Sequence, residues 1–309
     1  MSNVLGPVLS RRRAAALLLA PALAGCAQTP GGQQSSGASG PGGAPGGPPG
    51  SASRIQPVVP STDLSVGRNR FSLGILEISR GATAPVPIPD ATLNLRFFYP
   101  ITPQAVARGE AVTPAFRYVQ DKTKGLYVAH VEFDQPGEWG VEVSGTAAGK
   151  PFTPAGVRFT VKPQGDMPAL GAPAPRSRNL TRHDVDDVRK IDSGATPNDM
   201  HELSIAGAIE QGKPLVVLFA SPGFCTTQTC TPQLGEVQQL KAKYGAQANF
   251  VHVEIFKDAS TRTPYETVTE WGLQSEPWTV LVDRQGLVAE KYEGPAPLSE
   301  MEPALQKLL

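Results

Sequence analysis

From about Val58 to Val161, hydrophobic and polar residues alternate in short runs broken by Gly and Pro. The runs Phe71–Ile78, Ala91–Tyr99, Gly125–Phe133 and Trp139–Val143 place apolar side chains at nearly every second position. Each predicts a strand with one face buried. The segment Asp134–Glu138 between the last two contains Pro136 and Gly137, which suit a tight turn. Several such strands within roughly 100 residues predict an antiparallel all-β sandwich over residues 58–163. His130 lies on the third run with no second metal ligand at useful spacing, so the segment reads as a spacer or docking surface.

Residues 164–197 are Pro-rich in their first half and read as a linker and lead-in. After them the period changes. Leu215–Ala220 is a continuous apolar run, as expected of a strand buried on both faces. Ahead of it, Ser204 is placed to cap a short helix through Ile205, Ala208 and Ile209 that ends at Gly212. Behind it, a helix runs toward Tyr244 with Leu234, Val237 and Leu240 on its apolar side. Asn249–Phe256 predicts a second strand, and Thr263-Pro264 the cap and first position of a short helix to Trp271. Trp278–Val282 and Leu287–Tyr292 form a predicted hairpin, and Leu298–Leu309 a closing helix. Strands alternating with helices predict an α/β domain over residues 198–309, so the chain is multidomain.

Composition narrows the function. With 28 basic and 28 acidic residues among 309, there is no net charge to attract nucleic acid, and no nucleic-acid partner is expected. The 32 Gly and 31 Pro are over-represented at residues 27–57, where two thirds of Pro30–Gly50 is one or the other. Such a stretch cannot bury enough apolar surface to offset the entropy of ordering it, and reads as a disordered tether. Residues 1–26 precede it, with Arg11, Arg12 and Arg13 followed by an apolar run, Ala14–Ala24, too short to span a bilayer. They predict an export signal, with Sec and twin-arginine routes both open. It ends in Leu23-Ala24-Gly25-Cys26, which resembles the lipobox of bacterial lipoproteins. That resemblance implies lipid attachment at Cys26. The protein would be exported and anchored to the cell membrane, facing the periplasm or cell exterior, where disulfides are permitted.

Setting Cys26 aside leaves Cys225 and Cys230 of the three cysteines. Cys225 follows the buried strand and precedes a helix, whose unpaired N–H groups favour thiolate over thiol. Cys225 is therefore the expected nucleophile and Cys230 the residue that resolves a mixed disulfide. Phe224 and Trp278 offer a substrate apolar contact, or simply core contacts. Five residues along a regular helix leave two side chains about 140° apart, so a Cys-x4-Cys pair needs a loop or widened turn. The threonines at 226, 227 and 229 fit that need.

Several residues fall in one familiar order: Gly212-Lys213-Pro214 before the buried strand, Cys225 after it, Pro232 in the next helix, and Glu276-Pro277-Trp278-Thr279 opening the hairpin. The order resembles the thioredoxin fold, and most strongly the membrane-tethered thiol-disulfide reductases of the bacterial envelope. The resemblance implies a cis Pro277 against the reactive cysteine, with Trp278 and Thr279 beside it as substrate contacts. It also implies disulfide- or dithiol-containing envelope proteins as partners, with neither cofactor nor metal. Two departures stand out: the four-residue spacing, and Val217 where the family carries a buried aspartate. His252 or Glu254, on the neighbouring strand, are candidate replacements for that acid. Gly125–Val143 resembles a hairpin of small immunoglobulin-like envelope domains. Alternative readings remain: a redox-inactive thioredoxin-like binding protein with a static disulfide, a copper-binding assembly factor for a respiratory oxidase, or a peroxiredoxin-like peroxidase using Thr227-x-x-Cys230.

Overall fold

The computed structural model describes residues 54–79, 83–102, 105–119 and 125–309. Cys26, the expected export signal and most of the expected tether lie outside the described residues. Those described fall within one compact unit, Pro49–Leu309. Among them, no helix is long and apolar enough to cross a membrane.

The N-terminal part is built of β1 (Arg54–Val58), β2 (Gly67–Ile78), β3 (Val86–Pro87), β4 (Thr92–Phe98), β5 (Ala107–Val112), β6 (Ala115–Tyr118), β7 (Gly125–Phe133), β8 (Gly137–Ala147), β9 (Lys150–Pro151) and β10 (Ala155–Val161). They form two antiparallel sheets, ordered β1-β2-β7-β6 and β10-β8-β4-β5, with β3 and β9 as short additions. One core lies between them. On β4, Leu93, Leu95 and Phe97 point inward while Thr92, Asn94 and Arg96 point out. Phe71, Phe97, Phe133 and Phe159 interlock in that core, with the Phe71 and Phe97 rings edge to face at 5.1 Å. The buried Tyr127 hydroxyl donates to the Ile88 carbonyl at 2.6 Å and accepts from the Ala91 N–H at 2.8 Å.

All four expected strands are present: β2 and β8 extend beyond their runs, β7 coincides with its run, and β4 is one residue shorter at each end. The first sheet, however, starts at Arg54, inside the stretch read as tether, because Arg54–Val58 pairs in register with Gly74–Ile78. Nothing in Arg-Ile-Gln-Pro-Val alone distinguishes an edge strand from a Pro-containing tether. β5 is mostly exposed, so it lacks the alternating pattern that would have announced it.

The C-terminal part carries α1 (Ile205–Glu210), β11 (Leu215–Phe219), α2 (Cys230–Tyr244), β12 (Asn249–Val253), β13 (Phe256–Asp258), β14 (Thr263–Pro264), α3 (Glu266–Glu270), β15 (Trp278–Val282), β16 (Val288–Glu293) and α4 (Leu298–Gln306). The main sheet runs β12-β11-β15-β16, with β11 parallel to β12 and antiparallel to β15. Every residue of β11, β12 and β15 is buried. Val217, Phe219 and Val280 face α1 and α3, while Val216, Leu218 and Leu281 face α2 and α4. The result is a three-layer arrangement that explains the unbroken apolar strands. The Ser204 hydroxyl caps α1 by accepting from the Gly207 N–H at 3.1 Å.

Two expectations change here. Thr263-Pro264 does not start a helix: it forms β14 against β13, and α3 begins after Tyr265, whose N–H bonds the Ile255 carbonyl at 2.9 Å and keeps the chain extended. Residues 164–197 are also not a free linker. Met167 and Ala174 are buried in the domain core, and the Ser177 hydroxyl accepts from the Trp271 indole N–H at 3.1 Å. Prolines keep this segment extended while isolated apolar residues anchor it, a pattern whose composition alone looks like a linker.

A buried ion pair joins the two parts. Arg70 on β2 makes a two-pronged contact with Glu300 on α4, at 2.8 and 2.9 Å, and both side chains are only 6% exposed. Arg70 also donates to the carbonyls of Glu293 and Pro295 at 2.8 and 2.9 Å. Beside it, Thr62 donates its N–H and hydroxyl to Glu293. Removing one partner of a buried pair strands the other charge. Arg70→Met is expected to lower unfolding free energy by about 3–5 kcal/mol in urea titration. Adding Glu300→Leu should recover most of the loss; an unchanged midpoint in Arg70→Met would contradict the role given to this pair.

Candidate functional site

The chain leaves β11 through Ser221-Pro222-Gly223-Phe224-Cys225, and α2 begins only at Cys230. Buried Glu254 accepts from the Ser193 N–H at 2.8 Å and from the Ser221 hydroxyl, and Ser193 Oγ accepts from the Gly223 N–H at 3.0 Å. These bonds fix the start of the loop. A side chain at position 223 would put its Cβ 2.3 Å from the Ser193 carbonyl oxygen, so only glycine fits. Gln228 adopts the left-handed conformation, φ 58°, and turns the loop back on itself. The four intervening residues thus act as the widened turn that the spacing demands, and bring Cys225 within 2.6 Å of Cys230.

The two cysteines differ sharply. Cys225 is partly exposed, whereas Cys230, the first residue of α2, is fully buried. The Cys230 thiol, foremost, holds the Cys225 thiol down at about 5 by donating to it. The Thr227 hydroxyl and the backbone N–H groups of Cys230 and Thr229 add to that effect, against the opposing influence of burial. Thr227 Oγ1 lies 3.1 Å from the Cys225 sulfur and 2.7 Å from Thr229 Oγ1. Cys225 precedes the helix by five residues, yet its sulfur meets the N–H groups of the helix N-terminus, where partial positive charge favours an anion. Conversely, the hydrogen bond to Cys225 and burial push the Cys230 thiol far up. The loop therefore makes one sulfur the thiolate and the other the proton holder.

The remaining expected site residues separate into two groups. The Glu276–Pro277 bond is cis and Pro277 is buried, while Phe224 is 38% exposed beside Cys225. Trp278 and Thr279 are buried, at 3% and 0%. The Trp278 indole donates to Ser275 Oγ at 3.0 Å, and Thr279 Oγ1 accepts from Gln233 at 3.0 Å. Strand β15 is covered on both faces, so these two side chains support the cis-proline segment from within.

The candidate replacements for the missing buried acid are also engaged elsewhere. Burial, foremost, keeps the His252 pKa low. Its Nε2 faces the Ala220 carbonyl at 3.1 Å and its Nδ1 faces Asn198 at 2.8 Å. Glu254 braces the loop, as described. The carboxylate at the thiol is instead Glu276, with Oε2 3.7 Å from the Cys230 sulfur. Burial first, and then the charge on Cys225, raise Glu276 to about 7, while Arg262 pulls the other way. Arg262 reaches from the β13–β14 hairpin to Glu276 Oε1 at 3.1 Å and to the Phe224 carbonyl at 3.2 Å, lying over the Phe256 ring. Glu276 stood in the motif next to Pro277; no pattern in the sequence connects Arg262 to it.

Residues 202–309 match the thioredoxin-like domain family. The C-terminal region is a thioredoxin-like domain. No curated protein matches the chain. Within the thioredoxin-like domain and its lead-in, two groups have metal-ligand spacing. Cys225, Cys230 and Glu276 offer two soft sulfurs and a carboxylate, and Asp192, His201 and His252 form a fully buried second cluster. In the latter, Asp192 accepts from Asn198 and Gly194 N–H groups and lies 3.0 Å from His201 Nε2. Burial opposes the Asp192 charge, but His201, His252 and these N–H groups prevail and hold its carboxyl below the usual range. This cluster ties the lead-in to β12.

The Cys225 geometry has a direct readout. Thiolate ultraviolet absorbance against pH should titrate with a midpoint near 5 for Cys225 in the reduced chain. Cys230→Ala should raise that midpoint more than Thr227→Val, since the thiol donor dominates. A midpoint at the free-cysteine value, near 8.5, would contradict the donor arrangement.

Proposed function

We propose that the protein is a membrane-anchored thiol-disulfide oxidoreductase of the bacterial cell envelope, acting on disulfide- or dithiol-containing proteins through Cys225 and Cys230. One observation carries the reading: a partly exposed cysteine held as thiolate at neutral pH sits against a buried cysteine that keeps its proton. In the reducing direction, Cys225 attacks a substrate disulfide and one substrate sulfur leaves. Cys230 then attacks the Cys225 sulfur, which releases the second substrate sulfur and leaves the protein pair oxidised. The thioredoxin-like domain supports this chemistry, as does the cis proline preceding β15.

An apolar groove of about 190 Å3 opens beside the pair, between Thr227, Thr229 and Glu276 and, from the N-terminal region, Pro60, Gly125 and Leu126. Its size suits a side chain flanking the substrate cysteine, and it gives the N-terminal region, read as an immunoglobulin-like module, a part in the site. The lipobox-like Leu23-Ala24-Gly25-Cys26 and the Gly/Pro-rich segment after it support anchoring by lipid at Cys26 and a tethered reach from the membrane.

Burial of Cys230 and the upward push on its thiol argue against a peroxidase that would use it as the nucleophile. The carboxylate as third donor beside the sulfurs argues against Cu(I), which prefers softer ligands. The asymmetric pair favours turnover over a static bond, because a stabilised thiolate raises the reduction potential.

Cys230→Ser is expected to accumulate disulfide-linked partners in cells, while Cys225→Ser accumulates none; the check is non-reducing electrophoresis followed by mass spectrometry. Equilibration of the purified chain with a glutathione redox buffer should give a potential above about −300 mV. A lower value would assign the bond a structural role.

A further inference from the structure

We infer that Glu276 is the proton acceptor for Cys230, and that Arg262 positions it. The inference rests on the oxidoreductase reading above. In the reduced chain, Cys230 is fully buried, and its sulfur touches only two titratable groups among the described residues: the Cys225 sulfur and Glu276 Oε2 at 3.7 Å. Val217, on β11, is apolar and carries no proton, and His252 and Glu254, on and after β12, spend their polar atoms on Ala220, Asn198, Ser193 and Ser221. Among the described residues, Arg262, from the β13–β14 hairpin, is the one other charged group on Glu276. Its guanidinium holds Oε1, which leaves Oε2 directed at the thiol.

The chemistry requires such a group. A buried thiol attacks a disulfide only as thiolate, and burial opposes that charge. In the mixed disulfide, Cys225 is bonded to the substrate sulfur and carries no charge. The Cys230 S–H proton passes to Glu276 Oε2. The Cys230 sulfur attacks the Cys225 sulfur, the bond between Cys225 and the substrate breaks, and the substrate leaves as a thiolate that takes a proton from water. The pair loses two electrons and the substrate disulfide gains them.

The charge pattern times this transfer. While Cys225 is a thiolate it repels charge on Glu276, whose carboxyl stays partly protonated near neutrality. Forming the mixed disulfide removes that repulsion, so the Glu276 pKa falls and the carboxylate appears at the step that needs it. The same event deprives Cys230 of its thiolate acceptor and so eases its own ionisation. Arg262 acts in the same direction throughout, by favouring the charged carboxylate.

The test is single-turnover reduction of an aryl disulfide, 5,5′-dithiobis(2-nitrobenzoate), by the reduced full-length chain. The first burst of nitrothiobenzoate reports attack by Cys225, and the second reports resolution by Cys230. Glu276→Gln should slow the second burst by about 100-fold near neutral pH, in line with the loss of one general base. It should also move the pH midpoint of that burst upward, while the first burst changes by less than about 3-fold. Arg262→Gln should raise the midpoint of the second burst and leave its high-pH plateau intact, and Arg262→Lys should restore part of the shift. A second burst in Glu276→Gln with wild-type rate and pH profile would overturn the inference. So would equal slowing of both bursts, since that marks a general distortion of the loop. Absence of both bursts in the wild-type chain would sink the oxidoreductase reading itself.

Discussion

The site depends on the turn at Gln228, which lets the Cys225 sulfur fold back onto the first N–H groups of α2 and onto the Cys230 thiol. Anionic sulfur in a half-buried place needs donors, and a helix N-terminus has unpaired ones. In a two-residue spacing the first cysteine stands on the helix itself. Here the helix begins at the second cysteine, and the loop brings the first to it. The same donors thus reach the Cys225 sulfur by a longer path, with hydroxyls of Thr227 and Thr229 added along the way.

That loop is held from below by groups with no direct part in sulfur chemistry. Glu254 and Ser193 fasten its start, and Asp192 ties the same lead-in to His201 and Asn198. Segment 164–197, with its linker-like composition, therefore serves as the brace under the loop between Cys225 and Cys230. Beyond it, the N-terminal region is fastened near the same end of the thioredoxin-like domain through Arg70, Thr62 and Glu293. Glu293 also accepts from Ser275, the residue before Glu276. The two regions meet at the segment that carries the cis proline, so the β-rich region is a neighbour of the site.

Proton placement follows from burial. With an apolar Val217 in the centre of the sheet, an acid could be reintroduced only where a carboxylate can reach Cys230 and still find a partner for its own charge. Position 276 meets both needs, since Glu276 Oε2 lies 3.7 Å from the Cys230 sulfur and Arg262 comes over from the hairpin. His252 and Glu254 alternate on the adjacent segment and point into a satisfied network.

The amino-acid sequence by itself determined the elements whose side chains face one environment throughout. Alternation marked β2, β4, β7 and β8, a continuous apolar run marked β11, and Ser204 and Gly212 bounded α1, because burial and capping are local demands written in residue type. It also determined the two cysteines, the proline before β15 and the need for a widened turn between them. Only the tertiary structure decided what depends on contacts between distant segments. β1 becomes a strand because β2 offers an edge, and residues 164–197 order because the domain core accepts Met167 and Ala174. Trp278 and Thr279 are core residues because both faces of β15 are covered. Glu276 and Arg262, fourteen positions apart, meet only because the β13–β14 hairpin folds over the loop. A pKa is set by whatever surrounds a group in space, so the distinction between the two sulfurs emerges only once the chain has closed around them.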